Sequence, residues 1–263
     1  MTFDREWFND ESFWEEYAPI MFDDRRWSEV GEVADGLTRM ARLPLYAPGG
    51  GDARREGPRV LDLCCGFGRI TLELARRGFA ATGVDITPAY LSLAREDAAG
   101  EGLEAEFVES DMRAFKRPGA FDLALNLYIS FGYFRDPADD RLTARNVCES
   151  LKPGGAFIIE TLGKEMAVRD FVEAEWFERA GFLVLTEYEA LDSWGTLKNR
   201  WILINRQGRR IEKTFTQRLY AATELRGLLL DAGFGTVELY GGWDESPYDR
   251  RARSLIAVAR KGV

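Results

Sequence analysis

The sequence contains no histidine among its 263 residues, which removes the commonest general base and the commonest metal ligand of proteins. Its three cysteines, Cys64, Cys65 and Cys148, include an adjacent pair but no Cys-x-x-Cys spacing, so neither a disulfide framework nor a zinc site is indicated. Any chemistry must therefore proceed without imidazole, and we expect no bound metal and a reducing, cytoplasmic environment.

Long apolar runs and basic runs are also missing. No stretch has the length of a membrane-spanning segment, and Met1–Asn9 carries acidic and aromatic residues instead of the basic and apolar regions of a signal peptide. Asp and Glu outnumber Lys and Arg by 44 to 35, and the resulting net charge of −9 repels nucleic-acid phosphates. We therefore expect no membrane anchor and no nucleic-acid partner, while the oligomeric state stays open.

Between residues 59 and 161, apolar strand patterns alternate with helix signals. Proline at the first helical position follows a capping residue twice, at Thr87-Pro88 and at Asp136-Pro137. The strand patterns cover Arg59–Leu63, Ala80–Asp85, Ala105–Glu109, Phe121–Leu127 and Ala156–Thr161. Such alternation predicts a parallel sheet covered by helices on both faces.

Three further parts of the chain flank or complete this core. Residues 1–50 predict a helical lid, with an aromatic helix that ends before Pro19, a second helix from Ser28 and a glycine-rich linker at Ala47–Asp52. Residues 51–162 form the core, and 221–263 complete its sheet with a last strand, Ser254–Ala259, that we expect to run antiparallel. Residues 163–220 predict an inserted antiparallel cap with the strands Phe182–Ala190, Thr196–Ile204 and Arg210–Tyr220.

The glycine turn after the first strand, VLDLCCGFGR at positions 60–69, carries the most chemical information. Gly66 and Gly68 let a ligand approach the backbone at the carboxyl edge of the sheet, beside a helix N-terminus. Asp62 lies where it can receive a cationic amine, Asp85 can accept both hydroxyls of a ribose, and Asp111 can accept an adenine amine. One such Asp alone is typical of a helix cap, but three at successive strand ends indicate a nucleoside-type cofactor.

These segments resemble the cofactor motifs of class I S-adenosylmethionine-dependent methyltransferases. The resemblance rests on LDLCCGFG, GVDIT and ESDMR, extends to FDLALNLY and LKPGG, and covers roughly residues 59–161. The flanks FWEEYAP and SFGYF look like bacterial small-molecule methyltransferases, among them N-methyltransferases of sugar and antibiotic pathways. The resemblance implies a Rossmann-like α/β fold with a seven-stranded, mostly parallel sheet and an antiparallel last strand, joined by the helical lid and the inserted antiparallel sheet.

The resemblance also implies S-adenosylmethionine as the cofactor and assigns residues to it. Asp62, Cys64 and Gly66 are expected around its methionine end, with Gly68 as a further cofactor-binding residue of the same turn. Asp85 and Ile86 are expected at its ribose and adenine, Asp111 and Met112 at the adenine edge, and Asn126 and Leu127 beside the sulfonium. Cys64 departs from the family pattern, because many relatives carry glycine there, and it narrows the room near the cofactor. Arg25 and Arg26 are candidates for its carboxylate, or form a solvated surface pair.

Aromatic side chains suit a cationic methyl donor, because their ring faces attract positive charge. We predict Tyr17 and Tyr133 as catalytic residues, and Trp14, Tyr128, Phe131, Trp194, Tyr220 and Tyr240 as substrate-binding residues, although each aromatic can equally be a core residue. A base must be Glu160, Tyr17 or Tyr133. An amine acceptor needs no strong base, so the sequence favours nitrogen over oxygen in a small-molecule acceptor.

Four alternatives stay open. The acceptor atom can be an oxygen, and a binding module can keep the cofactor contacts without catalysis. An NAD(P)-dependent oxidoreductase has a similar turn, but Thr71 occupies the last glycine position of its fingerprint. A macromolecular methyltransferase is disfavoured by the acidic balance and by NLYI at positions 126–129, in place of the Asn/Asp-Pro-Pro-Tyr signature. The identity of the acceptor and the number of methyl groups transferred are not determined by the sequence.

Overall fold

A computed structural model describes residues 6–43 and 57–263 of the chain. The predicted linker Ala47–Asp52, and with it the predicted boundary between lid and core, lies outside these residues. The described N-terminal part is helical. It consists of a 3₁₀ turn at Trp7–Asn9 and the helices α1 (Glu11–Met21), α2 (Asp24–Ser28) and α3 (Val30–Ala41). In these two described ranges, no helix is both long enough and apolar enough to cross a membrane.

Helix α1 is held by an N-terminal cap and a buried apolar face. Asp10 caps its first turn, and Phe13 and Ile20 are buried on one side. The prediction that the helix ends before Pro19 is wrong, because it continues to Met21. Ile20 lies beyond the proline, and its burial offsets the hydrogen bond that Pro19 cannot donate.

Seven strands form the central sheet and confirm the predicted fold class. They are β1 (Arg59–Leu63), β2 (Ala80–Asp85), β3 (Ala105–Glu109), β4 (Phe121–Asn126), β5 (Leu151–Thr161), β10 (Phe234–Tyr240) and β11 (Leu255–Lys261). Their order is β10-β11-β5-β4-β1-β2-β3. Strand β11 runs antiparallel to both of its neighbours, β10 and β5, and the other neighbouring pairs are parallel. The carboxyl ends of β1, β2 and β4 therefore meet at one edge.

Helices cover both faces of this sheet and bury two apolar cores. The remaining helices are α4 (Arg69–Arg76), α5 (Pro88–Glu101), α6 (Pro137–Ser150), α7 (Lys164–Arg169) and α8 (Ala222–Asp231). Alternate residues of β1 enter opposite cores: Val60 packs in the cluster that holds residues of α3 and α4, and Leu61 in the one that holds residues of α6 and α8. The sheet edge is thus fixed from both sides.

Between α7 and α8, four strands form a separate antiparallel sheet, which we call the cap sheet. Its strands are β6 (Ala174–Arg179), β7 (Phe182–Leu191), β8 (Thr196–Asn205) and β9 (Arg210–Arg218). The sequence predicted only the last three. Strand β6 was missed because it is an exposed edge strand without a clear apolar face, in which Trp176 is 69% exposed. Helix α1 packs on the inner face of the cap sheet, where one cluster contains Phe13, Tyr17, Ile20, Val184, Leu203 and Phe215.

Two further boundaries differ from the prediction. The helix expected from Ser28 begins at Val30 as α3. The short helix α2 before it was not predicted; Asp23 caps it by accepting a hydrogen bond from the Arg26 amide at 3.1 Å. Strand β5 begins at Leu151 instead of Ala156, because Leu151 pairs with Phe121 of β4. Neither difference moves the carboxyl edge of the sheet.

Candidate active site

The glycine turn joins β1 to α4 through backbone conformations that favour glycine. Gly66 and Gly68 have φ angles of 55° and 73°, and Cys64 has a φ of 61°. A Cβ on Gly66 would lie 3.0 Å from the Phe22 ring, and one on Gly68 would lie 2.8 Å from Phe107. Gly66 faces the cavity described below, whereas Gly68 is required by internal packing. The predicted cofactor contact of Gly68 is therefore corrected to a packing role.

Asp62 lies at the end of β1 and is buried. Its Oδ2 accepts a hydrogen bond from the Thr71 hydroxyl at 2.7 Å. Burial raises the pKa of Asp62 to about 6, and the Thr71 hydrogen bond opposes that rise. The site thus holds a carboxyl group whose charge is sensitive to pH and to any cation that enters.

Asp85 ends β2 and organises the neighbouring backbone. Its Oδ2 accepts a hydrogen bond from the Gly66 amide at 2.8 Å, and its Oδ1 accepts one from the Thr87 amide at 2.9 Å. Burial raises the pKa of Asp85, while these amides oppose the rise. Each carboxylate oxygen has a second lone pair, so Asp85 can still accept hydrogen bonds from a ligand.

Asp111 follows β3 and forms an ion pair with Arg113, with 2.6 Å between Oδ2 and Nη2. Arg113 also contacts Glu6 at 2.9 Å and Asp139 at 3.0 Å. This network fixes the segment of Asp111 and Met112, both of which line the cavity. Asp111 is predicted to accept a hydrogen bond from the adenine amine, and it is thus already partly engaged by Arg113.

Asn126 ends β4 and is fully buried. Its Nδ2 lies 3.4 Å from the Leu63 carbonyl oxygen, 3.6 Å from Met112 Sδ and 3.8 Å from Cys64 Sγ. Asn126 therefore sits behind Cys64 and Met112 and does not line the cavity, whereas Leu127 does. The predicted contact of Asn126 with the sulfonium is corrected to a position one layer away from the cavity.

Two arginines lie near the residues that are predicted to surround the methionine end of the cofactor. Arg69 is 4% exposed, and its guanidinium carbon is 4.6 Å from the centroid of the Tyr128 ring. Arg26 lies over the same ring at 5.3 Å, and both arginines line the cavity. Burial lowers the pKa of Arg69, although the group remains a cation. Arg25 instead pairs with Glu29 on the surface.

These groups open onto one cavity of about 500 Å³, a volume typical of small-molecule sites. The carboxyl edge of the central sheet forms one wall, and α1, α7 and the inner face of the cap sheet form the other. The predicted cofactor residues that line it are Asp62, Cys64, Gly66, Asp85, Ile86, Asp111, Met112 and Leu127. The sheet edge and the cap sheet thus border a common space.

Only some of the predicted aromatic residues reach this cavity. Trp14, Tyr128 and Tyr133 line it, and Trp7 reinforces the group by contacting the Tyr133 ring at 4.7 Å between centroids. Tyr90 donates a hydrogen bond to the Trp14 carbonyl oxygen and so ties α1 to α5. The lid therefore contributes aromatic faces directly to the cavity wall.

The other predicted substrate-binding aromatics pack away from the cavity, and these assignments are corrected. Phe131 is fully buried and packs against Tyr220, whose hydroxyl donates to Asp140 Oδ2 at 2.7 Å. Trp194 packs on Phe171, with 5.0 Å between ring centroids. Tyr240 lies on β10 and packs against the second core. None of the four predicted residues lines the cavity, because the packing of the elements around them takes up their ring faces.

The two predicted catalytic tyrosines have different environments. Tyr17 does not line the cavity, and its hydroxyl donates to the Trp201 carbonyl oxygen at 2.8 Å. Tyr133 lines the cavity, and burial raises its pKa well above the ordinary value. Glu160, the third candidate base, accepts hydrogen bonds from the Tyr128 amide at 2.7 Å and from the Ser254 hydroxyl. Tyr17 is therefore corrected from a catalytic to a structural residue.

Comparisons with known proteins agree with this geometry. Residues 60–155 match the family model described as a methyltransferase domain. A putative methyltransferase of Geobacillus sp. (strain WCH70) is 24% identical over 214 residues, or 79% of this chain and 86% of the relative. Residues 60–155 therefore carry a methyltransferase domain, and the protein is an S-adenosylmethionine-dependent methyltransferase. This confirms the family resemblance and the cofactor, and it overturns the oxidoreductase alternative.

Solved structures show the same fold as this methyltransferase. The CcbJ methyltransferase from Streptomyces caelestis superposes with a TM-score of 0.79 at 17% identity, covering 98% of this chain and 100% of that one. CalS10 from Micromonospora echinaspora, an amino pentose methyltransferase solved with S-adenosylmethionine bound, has a TM-score of 0.64 at 22% identity, with coverages of 89% and 91%. The lid and the cap sheet are included in the alignment with CcbJ, since it covers 98% of this chain.

The residues of the methyltransferase cavity fit its cofactor chemically. S-adenosylmethionine carries an ammonium, a carboxylate, a ribose diol and a sulfonium. The cavity offers buried carboxyl groups at Asp62 and Asp85, cationic groups at Arg26 and Arg69, and aromatic faces for a cation. Sequence reasoning missed Arg69, although its place as the first residue of α4, directly after Gly68, was a usable signal.

Proposed function

We propose that this methyltransferase transfers the methyl group of S-adenosylmethionine to an amine nitrogen of a small molecule. The observation that carries the proposal is the state of the three candidate bases. The hydroxyl of Tyr17 is bound to a carbonyl oxygen, the raised pKa of Tyr133 keeps that phenol protonated near neutral pH, and Glu160 is held by two donors. A neutral amine attacks through its lone pair without a strong base, whereas an alcohol needs one.

The charged groups of the cavity support an assignment of residues to the parts of the cofactor. Asp62 would hold the cofactor ammonium, and Asp85 would accept hydrogen bonds from the ribose hydroxyls. Arg69 and Arg26 would bind the carboxylate at the same end of the cavity. Ile86 would pack on the adenine, as the resemblance implies.

Positioning and exclusion of water are the main tasks of the protein in this reaction. When bound, S-adenosylmethionine supplies a methyl group that the acceptor lone pair takes as the carbon–sulfur bond breaks. Tyr128 and Tyr133 border the cavity after β4 and present aromatic faces beside Leu127. Trp7 and Trp14 cover the same region from the lid, so that water is displaced from the reacting groups. The proton released by the methylated ammonium passes to water.

Two observations support a small acceptor over a polymer. The cavity is bordered by both the lid and the cap sheet, which suits a small molecule better than a polymer, and the net charge of −9 opposes nucleic acid. CalS10, a structural relative, is an amino pentose methyltransferase, which supports an aminated acceptor. We therefore place DNA, RNA and protein outside its acceptor range.

Methyl transfer can be tested with labelled S-adenosylmethionine and a panel of matched compounds. Each primary or secondary amine is paired with the alcohol of the same carbon skeleton, and labelled product and S-adenosylhomocysteine are quantified by mass spectrometry. We expect product from amines and none from the paired alcohols. Transfer to the alcohols instead, or only to added RNA or protein, would contradict the proposal. Asp85→Asn serves as the control for dependence on the cofactor site.

A further inference from the structure

Two buried amide side chains face the cavity from the inner surface of the cap sheet. Asn199 on β8 is 5% exposed and Gln217 on β9 is 7% exposed, and both line the cavity. They are diagonal neighbours, because Leu197 pairs with Gln217 and Asn199 pairs with Phe215. Polar residues at inner positions of a strand are costly unless their hydrogen bonds are satisfied.

Each of these amides uses one of its two N–H groups to bind a backbone carbonyl oxygen. Asn199 Nδ2 donates to the Leu197 carbonyl oxygen at 3.2 Å, and Gln217 Nε2 donates to the Ile129 carbonyl oxygen at 3.0 Å. Within residues 6–43 and 57–263, no protein donor reaches Asn199 Oδ1 or Gln217 Oε1. Two oriented acceptors are therefore left for a molecule in the cavity.

A third acceptor extends this polar group across the cap sheet. Glu175 on β6 lines the cavity, and its Oε1 accepts a hydrogen bond from the Tyr188 hydroxyl at 3.2 Å. The one cap-sheet cation among the described lining residues, Arg179, is paired with Asp23 at 3.3 Å. The cap side of the cavity thus presents acceptors and negative charge, which suits ammonium and hydroxyl donors and repels carboxylates and phosphates.

We propose that Asn199 and Gln217 determine specificity by recognising an amine acceptor that carries further hydrogen-bond donors. This inference rests on the proposed function, since it takes the cap side of the cavity as the acceptor site. Gln217 is bonded to Ile129, two residues beyond Leu127, and therefore stands closest to the reacting end. Neighbouring strands lie about 5 Å apart. An acceptor that binds Gln217, Asn199 and Glu175 together must therefore carry its hydrogen-bond donors at several separate positions. An aminated polyol has this chemistry.

The test compares two amines of the same ring size that differ in their hydroxyl groups. Glucosamine and cyclohexylamine are titrated by NMR into the full chain saturated with S-adenosylhomocysteine, so that no turnover is needed. The variants are Asn199→Leu and Gln217→Met, which approximately keep side-chain volume and remove the amide with its acceptor oxygen and its N–H donors. Lys198→Met is the matched control, because Lys198 is the neighbour of Asn199 and pairs with Glu189 outside the cavity.

We expect wild type and Lys198→Met to prefer glucosamine over cyclohexylamine, and each amide variant to lose about tenfold of that preference. Affinity for S-adenosylhomocysteine should be unchanged in every variant, which separates acceptor recognition from misfolding. Equal discrimination in the amide variants and wild type, or binding of neither probe, overturns the inference. Failure of the proposed function has a different signature, namely a labelled-methyl assay in which no amine of the panel is methylated.

Discussion

Thr71 donates its hydroxyl hydrogen to Asp62 Oδ2 at 2.7 Å, and both side chains are buried under the glycine turn. Threonine occupies the position where the dinucleotide-binding fingerprint has its last glycine. The departure from that fingerprint therefore supplies a hydrogen bond that favours the charged form of Asp62. Without this hydroxyl, the desolvated carboxyl group would hold its proton at higher pH.

Cofactor affinity should depend on pH through Asp62. An ionised Asp62 is needed to bind an ammonium, and its pKa is about 6, so affinity for S-adenosylmethionine should fall as pH drops below 6. Thr71→Val should move this midpoint upward. Calorimetric titrations from pH 5 to pH 8 measure both effects, with Thr82→Val as control, because the Thr82 hydroxyl donates to Glu106 instead. A profile that is flat in this range, or unmoved by Thr71→Val, would count against the assigned role of Asp62.

The raised pKa of Asp62 also affects the stability of the protein without cofactor. This stability should depend on pH in the opposite direction to cofactor affinity. The folded-state pKa of Asp62 lies above its ordinary value of 3.8, so its contribution to stability is fully present below pH 3.8 and is lost as pH rises through about 6. Asp62→Asn should therefore flatten this part of the stability profile. Urea unfolding at pH 5 and pH 8 measures the change, and an unaltered pH dependence in Asp62→Asn would contradict it.

The two tyrosines predicted as catalytic should respond differently to removal of their hydroxyls. Tyr17→Phe deletes the hydrogen bond to the Trp201 carbonyl oxygen and should lower the free energy of unfolding by about 1 kcal/mol, with turnover per folded molecule unchanged. Tyr133→Phe removes the hydroxyl of a residue that lines the cavity and should lower kcat by about tenfold. Steady-state kinetics and chemical unfolding of both variants distinguish these effects. Equal losses of kcat would show that Tyr17 acts in the chemistry.

Tyr220 should prove to be a structural residue with a pH-dependent contribution. Its hydroxyl donates to Asp140, whose pKa burial raises to about 6. Above pH 6 the carboxylate is charged, so Tyr220→Phe should cost about 1–3 kcal/mol at pH 8 and less at pH 5, where Asp140 is protonated. Urea unfolding at both pH values measures this, with Tyr240→Phe as control. An increase in the acceptor KM without loss of stability would instead restore the predicted substrate contact.

The adjacent cysteines of the glycine turn should differ in their tolerance of glycine. Cys64 has a φ of 61°, a conformation that costs a non-glycine residue about 1 kcal/mol or more. Cys64→Gly should relieve this cost and stay within about 1 kcal/mol of wild-type stability, whereas Cys65→Gly has no such strain to relieve and should be less stable. Thermal unfolding of both variants measures the difference. Equal destabilisation would show that the backbone of Cys64 is unstrained.

Local patterns were sufficient to predict the central sheet and most of the cofactor edge. The strand ends at Asp62 and Asp85 and the turn at Gly66 depend on a few consecutive residues, and the parallel sheet brings them to one edge. Eight of the ten predicted cofactor residues line the cavity. The exceptions, Gly68 and Asn126, lie on the predicted turn and strand but pack against the protein interior instead of the cavity. This difference depends on tertiary packing.

The acceptor side was harder to predict, because a buried aromatic and a cavity-lining aromatic look alike in a sequence. Phe131 and Tyr220 contact each other in the core, while Tyr133, two residues beyond Phe131, reaches the cavity. Asn199 and Gln217 were not predicted as cavity residues for the opposite reason, since a polar residue in a strand is normally assigned to the solvent face. Only the packing of the cap sheet over the core reveals which face is inside.

The aromatic cluster shared by α1 and the cap sheet also has a kinetic consequence. Phe13 and Tyr17 of α1 pack with Val184 and Leu203 of the cap sheet, so we expect the two layers to move together. A movement that admits the large methyl donor must also displace the wall that receives the acceptor. We therefore expect a compulsory order of association, in which the donor binds first and the acceptor's binding surface assembles only after the layers have closed over it.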